Sequence, residues 1–99
     1  MTFRVIFHPL ADKEFNDAYQ WYEQRLEGLG ERFSEAIEHR LDQIVNDPLL
    51  FPETKNSYRA AKAETFPYLI VYKIDHKKKA ILISAIYHTS RNPKKKYRK

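Results

Sequence analysis

Hydrophobic and polar positions follow two rhythms along this chain, and the change of rhythm divides it. Phe3-Arg4-Val5-Ile6-Phe7-His8 is short, β-branched and aromatic, which predicts a strand. Pro9 follows, a residue suited to the first turn of a helix. From Leu10 to about Glu27 the apolar residues Ala11, Phe15, Ala18 and Tyr22 recur at four-and-three spacing, with Trp21 and Leu26 broadening the stripe. Asp12 and Glu14 fall near the start of this helix, where its dipole favours acid. A second helix is expected from about Glu31 to Asn46, with Phe33, Ile37, Leu41 and Ile44 as its stripe. Gly28-Leu29-Gly30 lies between the two and holds both glycines of the chain. Gly28 suits the left-handed conformation that ends a helix, and Gly30 a tight reversal. So short a link predicts an antiparallel helical hairpin. Glu31, Glu35, Glu38 and Asp42 then fall on its wet face.

The rhythm changes after Asp47-Pro48, because the residue before a proline avoids the helical region. Residues 48–57 read as a loop pinned by Pro48 and Pro52. Three extended runs follow. The first, Tyr58-Arg59-Ala60-Ala61-Lys62-Ala63, alternates weakly, whereas Tyr68 to Ile74 and Ala80 to Tyr87 are strongly β-forming. Thr65-Phe66-Pro67 joins the first pair, and Asp75-His76-Lys77-Lys78 makes a hairpin turn that lacks the usual glycine. The predicted order is β-α-α-β-β-β: an N-terminal strand, an antiparallel helical hairpin, then a three-stranded antiparallel meander. Together they form one curved sheet, α+β in class. Residues 1–93 are expected to be a single domain and residues 94–99 a basic C-terminal tail.

Composition narrows the class. A chain of 99 residues builds one small core, and 42% hydrophobic content with 14% aromatics suffices for it. There is no cysteine, so disulfide and thiolate chemistry are excluded and a reducing, cytoplasmic setting fits. No apolar run approaches the ~18 residues of a membrane span, and the first residues lack a long apolar targeting segment. The net charge of +5 is unevenly spread. Residues 1–50 carry five Lys/Arg against ten Asp/Glu, a net of −5, whereas residues 51–99 carry thirteen against three, a net of +10. This asymmetry points to an anionic partner for one face, either nucleic acid or an acidic protein. The plainer alternative is a solubilised sheet edge.

The candidate chemistry lies at one end of the predicted sheet. Tyr87, His88 and Arg91 leave the last strand together, Arg59 and Lys62 lie on the first strand of the meander, and Tyr97 stands within the cationic tail. These residue types are the ones needed to cleave RNA without a metal. Histidine, or a tyrosine or lysine of shifted pKa, moves the 2′-hydroxyl proton. Arginine stabilises the charge that develops on the phosphorane oxygens. An aromatic ring stacks an unpaired base. Each also has a structural reading: His88 as a strand-end cap, Arg91 as an ion-pair partner of a helix acid, Tyr87 as core. His8, His39, His76 and His88 are scattered, no ligand-spaced carboxylate cluster recurs, and the serines lack a glycine-rich elbow. No metal or cofactor is implied.

Several stretches, in order, resemble the RelE/ParE superfamily of bacterial toxins from type II toxin–antitoxin systems. They are Ala18-Tyr19-Gln20-Trp21-Tyr22, Gly28-Leu29-Gly30-Glu31-Arg32-Phe33, Asp47-Pro48, Phe51-Pro52, Phe66-Pro67-Tyr68, Val71-Tyr72, Ala85-Ile86-Tyr87-His88 and Arg91-Asn92-Pro93. The resemblance covers nearly the whole chain and implies the same helical hairpin on an antiparallel sheet. It also implies an acidic antitoxin as partner and one of two targets. The RelE-like branch consists of ribosome-dependent messenger-RNA endoribonucleases, and the ParE-like branch poisons DNA gyrase. The nuclease branch often carries an arginine where this chain has Leu69, a donor worth ~3–4 kcal/mol to the transition state. The Gly28–Phe33 and Phe66–Tyr68 stretches look more like the ParE side.

Three readings are therefore set against each other. The first is a ParE-like, plasmid-stabilisation-type toxin acting on gyrase. The second is a metal-independent endoribonuclease using His88, Arg91, Arg59 and Tyr97. The third is a non-toxic basic nucleic-acid-binding module. In each, Lys62, Tyr87, Lys94, Lys95, Lys96, Arg98 and Lys99 are expected to contact the nucleic acid or protein partner.

Overall fold

In a computed structural model residues 3–90 are described, and Arg91, Tyr97 and the lysine-rich tail lie outside them. Strand β1 (Arg4–Phe7) leads into helix α1 (Pro9–Arg25) and helix α2 (Leu29–Asn46). Strands β2 (Glu53–Lys55), β3 (Tyr58–Lys62), β4 (Tyr68–Asp75) and β5 (Ala80–His88) follow. The five strands form one sheet in the order β1-β5-β4-β3-β2, with β1 parallel to β5 and the other pairs antiparallel. The expected α+β architecture is therefore present, a helical hairpin on an open mixed sheet.

His8 closes β1 and opens α1. Its Nδ1 accepts the Leu10 amide at 3.1 Å, and Pro9 fills the first helical position, where no amide hydrogen is required. α1 ends earlier than expected, at an extended Leu26, and Gly28, at φ 87°, takes the left-handed conformation the sequence predicts but as the N-cap of α2 and not as the residue that ends α1. Gly30 plays a different part from the one expected. It belongs to α2, and a Cβ there would stand 2.7 Å from the Tyr19 carbonyl oxygen and 2.9 Å from Glu23 Oε1. The glycine permits close helix approach and makes no reversal. Glu23 exploits that closeness by accepting the Gly28 and Gly30 amides, each at 2.9 Å. A carboxylate thus caps the positive end of α2 from the neighbouring helix.

Segment 48–57, expected to be loop, contains the short edge strand β2. The turn from β2 into β3 places Asn56 at φ 51° and Ser57 at φ 70°, the geometry of a two-residue hairpin turn of mirror-image type. Lys79, at φ 51°, supplies the left-handed residue before β5 that no glycine provides.

The core lies between the hairpin and one face of the sheet. Ala11 and Ala18 from α1 and Phe33, Ile37 and Ile44 from α2 meet Ala61, Ile70, Tyr72, Ile81, Ile83 and Ile86. Each fully buried aliphatic contributes about 1.5–3 kcal/mol. Phe33 is the hub of an aromatic cluster, with ring centroids 5.7 Å from Phe15, 5.3 Å from Tyr22, 5.4 Å from Phe66 and 5.1 Å from Tyr68. Two residues assigned to the α1 stripe lie elsewhere: Trp21 is 51% and Leu26 60% exposed. On the outer sheet face Tyr58, Val71, Ala85 and Tyr87 form a second, smaller cluster. The register between β4 and β5 shifts after Val71, which pairs with Ala85 while Tyr72 pairs with Ile83. Ser84 is the extra residue, a β-bulge that bends the strand.

Candidate functional site

The site forms where the C-terminal end of β5 meets the start of β4 and one face of α1. Tyr68 pairs with His88, and their rings meet edge-on with centroids 5.1 Å apart. His88 Nδ1 accepts the Ser90 amide at 3.2 Å and lies 2.8 Å from Ser90 Oγ. In its neutral form the ring therefore carries its proton on Nε2. Opposite stand Glu14, Asp17, Ala18, Trp21 and Tyr22, linked by three- and four-residue spacings (14/17/21 and 14/18/22) and so sharing one face of α1. Between these walls is an open cavity of about 560 Å³.

The walls are tied together. Glu14 Oε1 accepts the backbone amide of Ile86 at 3.1 Å, fastening α1 to β5 just beyond the bulge. Tyr22 reaches both Phe66 and Tyr68, and burial pushes its phenol above the ordinary range. Asp17 pairs with Lys13 at 2.7 Å, with both side chains largely exposed. Arg25 rests 4.2 Å above the Trp21 ring.

The residues that sequence reasoning nominated do not all converge here. Arg59 pairs with Tyr72 and His88 with Tyr68. Four residues of β4 and two strand spacings therefore separate them, about 13 Å along the strand and about 10 Å across. No single phosphate spans that gap. Arg59 is instead occupied structurally, donating to the Phe51 carbonyl at 2.7 Å with Glu53 3.9 Å away. Lys62 donates to the Ala63 and Phe66 carbonyls at 3.1 and 3.3 Å. It shares a cross-strand row with Leu69 and Tyr87. Tyr87 is only 4% exposed and belongs to the outer cluster, so its ring faces protein rather than a partner. Arg91, Lys94, Lys95, Lys96, Tyr97, Arg98 and Lys99 lie outside the described residues.

Sequence reasoning missed the α1 wall. Glu14 was assigned to the helix dipole and Trp21 to the core, yet the spacing Glu14, Asp17, Trp21 marks one helical face. The tryptophan in register with two acids along the helix is the signal the sequence offers. Among the described residues, no group of three or more His, Asp or Glu is arranged to hold a metal, and no helix is long and apolar enough to cross a membrane.

The molecule is thus a hairpin of helices clamped on a five-stranded mixed sheet, with an open cavity at the end of the last strand. The family model for the ParE toxin of type II toxin–antitoxin systems, parDE, matches residues 5–93, and the chain belongs to that family. Solved structures share the fold at low identity. The chromosomal ParDE toxin–antitoxin system of P. aeruginosa matches with a TM-score of 0.73 and 15% identity, over 90% of this chain and 98% of that one. A mutant of E. coli toxin RelE in the free state matches with a TM-score of 0.69 and 16% identity, over 91% and 86%. The RelBE2 toxin–antitoxin complex of Mycobacterium tuberculosis matches with a TM-score of 0.62 and 15% identity, over 89% and 99%. Comparison with curated protein sequences finds no match.

Proposed function

We propose that this toxin acts by binding DNA gyrase, as a protein ligand that makes and breaks no covalent bond. The observation that carries the reading is the ParE match across residues 5–93. The geometry supports it in two ways. Leu69 is flanked by Lys62 and Tyr87 at the position where the nuclease branch often carries an arginine. Arg59, the other candidate charge-stabilising donor, is engaged with Phe51 and Glu53.

The proposed keeper is an acidic antitoxin in the same cytoplasm. Neighbours of the same fold are toxin–antitoxin complexes, and the basic half of this chain complements an acidic segment. The carboxylates of the first half lie mostly on the two helices, whereas Arg4 and Lys77–Lys79 gather where β1 begins beside the β4–β5 turn.

A second reading, a ribosome-dependent endoribonuclease, is favoured by His88 standing at the rim of a cavity with Ser90 and Tyr68. Purified protein separates the two. Inhibition of gyrase supercoiling with intact RNA supports the first. Messenger-RNA cleavage in a translating extract, abolished in His88→Ala, overturns it in favour of the second. Salt-sensitive nucleic-acid binding without growth arrest on expression would reject both in favour of a binding module.

A further inference from the structure

We propose that the cavity between α1 and the end of β5 receives an arginine side chain from an extended polypeptide segment. The proposal does not rest on the gyrase reading, since it uses the acid-bearing face of α1 with the ends of β4 and β5, and not the cationic group at Arg4 and Lys77–Lys79. Its walls carry the chemistry. Trp21, Tyr22, Tyr68 and His88 form a continuous line of rings, with successive centroids 5.1, 6.2 and 5.1 Å apart. Glu14 and Asp17 border the same space.

Ring faces carry negative quadrupole density, and carboxylates set the sign of the preferred guest as positive. A flat guanidinium satisfies both walls at once, stacking on a ring while its fork of donors meets a carboxylate. A compact ammonium meets only one of them well. The molecule already shows the stacking half of this contact, with the Arg25 guanidinium 4.2 Å above Trp21.

The size argues for a segment rather than a free cation. About 560 Å³ open to solvent exceeds one guanidinium and accommodates its stem and flanking backbone. Glu14 is held in place by the Ile86 amide, which fixes α1 against β5 on that side of the cavity. Asp17 is available by exchange, because its pair with Lys13 is exposed, with side chains 66% and 69% accessible, and such pairs are weak.

The test follows the indole resonance of Trp21, the only tryptophan, by nitrogen-15 NMR on the full chain. The probes are acetyl-Ala-Arg-Ala-amide, the same peptide with the isosteric, uncharged citrulline, and free arginine amide. The expected result is saturable movement of the Trp21 indole and the His88 and Ser90 amides with the arginine peptide, and weak or no movement with the other two. Asp17→Asn weakens binding about three-fold, and Lys13→Gln, which releases Asp17, strengthens it by a similar factor. Equal binding of the citrulline peptide overturns the proposal, as does an indole signal that does not move. Equal binding of arginine amide overturns the polypeptide part. If both variants, folded by their remaining resonances, bind as the parent does, the carboxylate part is wrong.

Discussion

Replacing Tyr72 by phenylalanine removes one oxygen atom and tests how the loop after α2 is fastened to the sheet. The ring is fully buried, and its hydroxyl donates to the Pro48 carbonyl at 2.8 Å. Without that hydroxyl the carbonyl loses a buried partner, which costs about 1–2 kcal/mol. In a domain of this size the midpoint falls by roughly 4–8 °C per kcal/mol. The same burial raises the Tyr72 phenol from 10.0 to about 12, offset in part by nearby Arg59 and reinforced by Asp47. The sign of the pH effect follows. Below pH about 10 both folded and unfolded tyrosine are protonated, and the stabilisation is intact. Between about 10 and about 12 the unfolded chain ionises first, so stability falls, by about 2–3 kcal/mol in all. Tyr72→Phe lacks this loss. Urea unfolding at about pH 7 and about pH 11.5 should show the variant weaker in the first case, and the gap closed or reversed in the second. Tyr19 and Tyr22, whose phenols are also raised, are common to both proteins and cancel. A variant within ~0.5 kcal/mol of the parent near neutrality would refute the bond's contribution. A gap unchanged at high pH would refute the buried, protonated phenol.

Other perturbations read other joints. Gly30→Ala drives a Cβ to 2.7 Å from the Tyr19 carbonyl, so despite a helix-propensity gain of ~1 kcal/mol it should lose about 1–3 kcal/mol net; a higher melting temperature would contradict the helix contact. Glu23→Ala leaves the Gly28 and Gly30 amides without their cap and should cost about 1–2 kcal/mol by urea titration, a loss not additive with that of Gly30→Ala. Ser57→Gly relieves a side chain held at φ 70° and should raise stability by about 0.5–1 kcal/mol; a decrease would show that the turn is not strained there. Phe33→Ala empties the hub of the aromatic cluster at about 3–5 kcal/mol, with near-ultraviolet circular dichroism as the readout, and an unchanged spectrum would place the core elsewhere.

What the chain discloses before folding depends on how local the controlling physics is. The two helices and strands β4 and β5 were legible because Ala11 and Ala18, Phe33, Ile37 and Ile44, Ile70 and Tyr72, or Ile81 and Ile83, repeat at the period of their own element. Gly28 was legible because a left-handed residue is a local demand. β2 was hidden because Glu53, Thr54 and Lys55 are all exposed and its turn uses Asn56-Ser57 with no glycine. Gly30 misled because its constraint comes from Tyr19 and Glu23 on the other helix. The site was half legible. His88 at the strand end could be read, but its meeting with Tyr68 depends on a register that slips at Ser84. The remoteness of Arg59 from His88 likewise follows from pairing across three strands, which no window along the chain displays.

The parallel pairing of β1 with β5 has a consequence for how a cell makes this molecule. Arg4 lies opposite Ala80 and Phe7 opposite Ile83, so β1, made before the helical hairpin, has no strand to pair with until β5 has followed it. The helical hairpin has all its residues before β2, yet the sheet that carries His88 is finished only once β5 has been made. A fragment that stops short of Ala80 leaves β1 and β4 without the strand that lies between them.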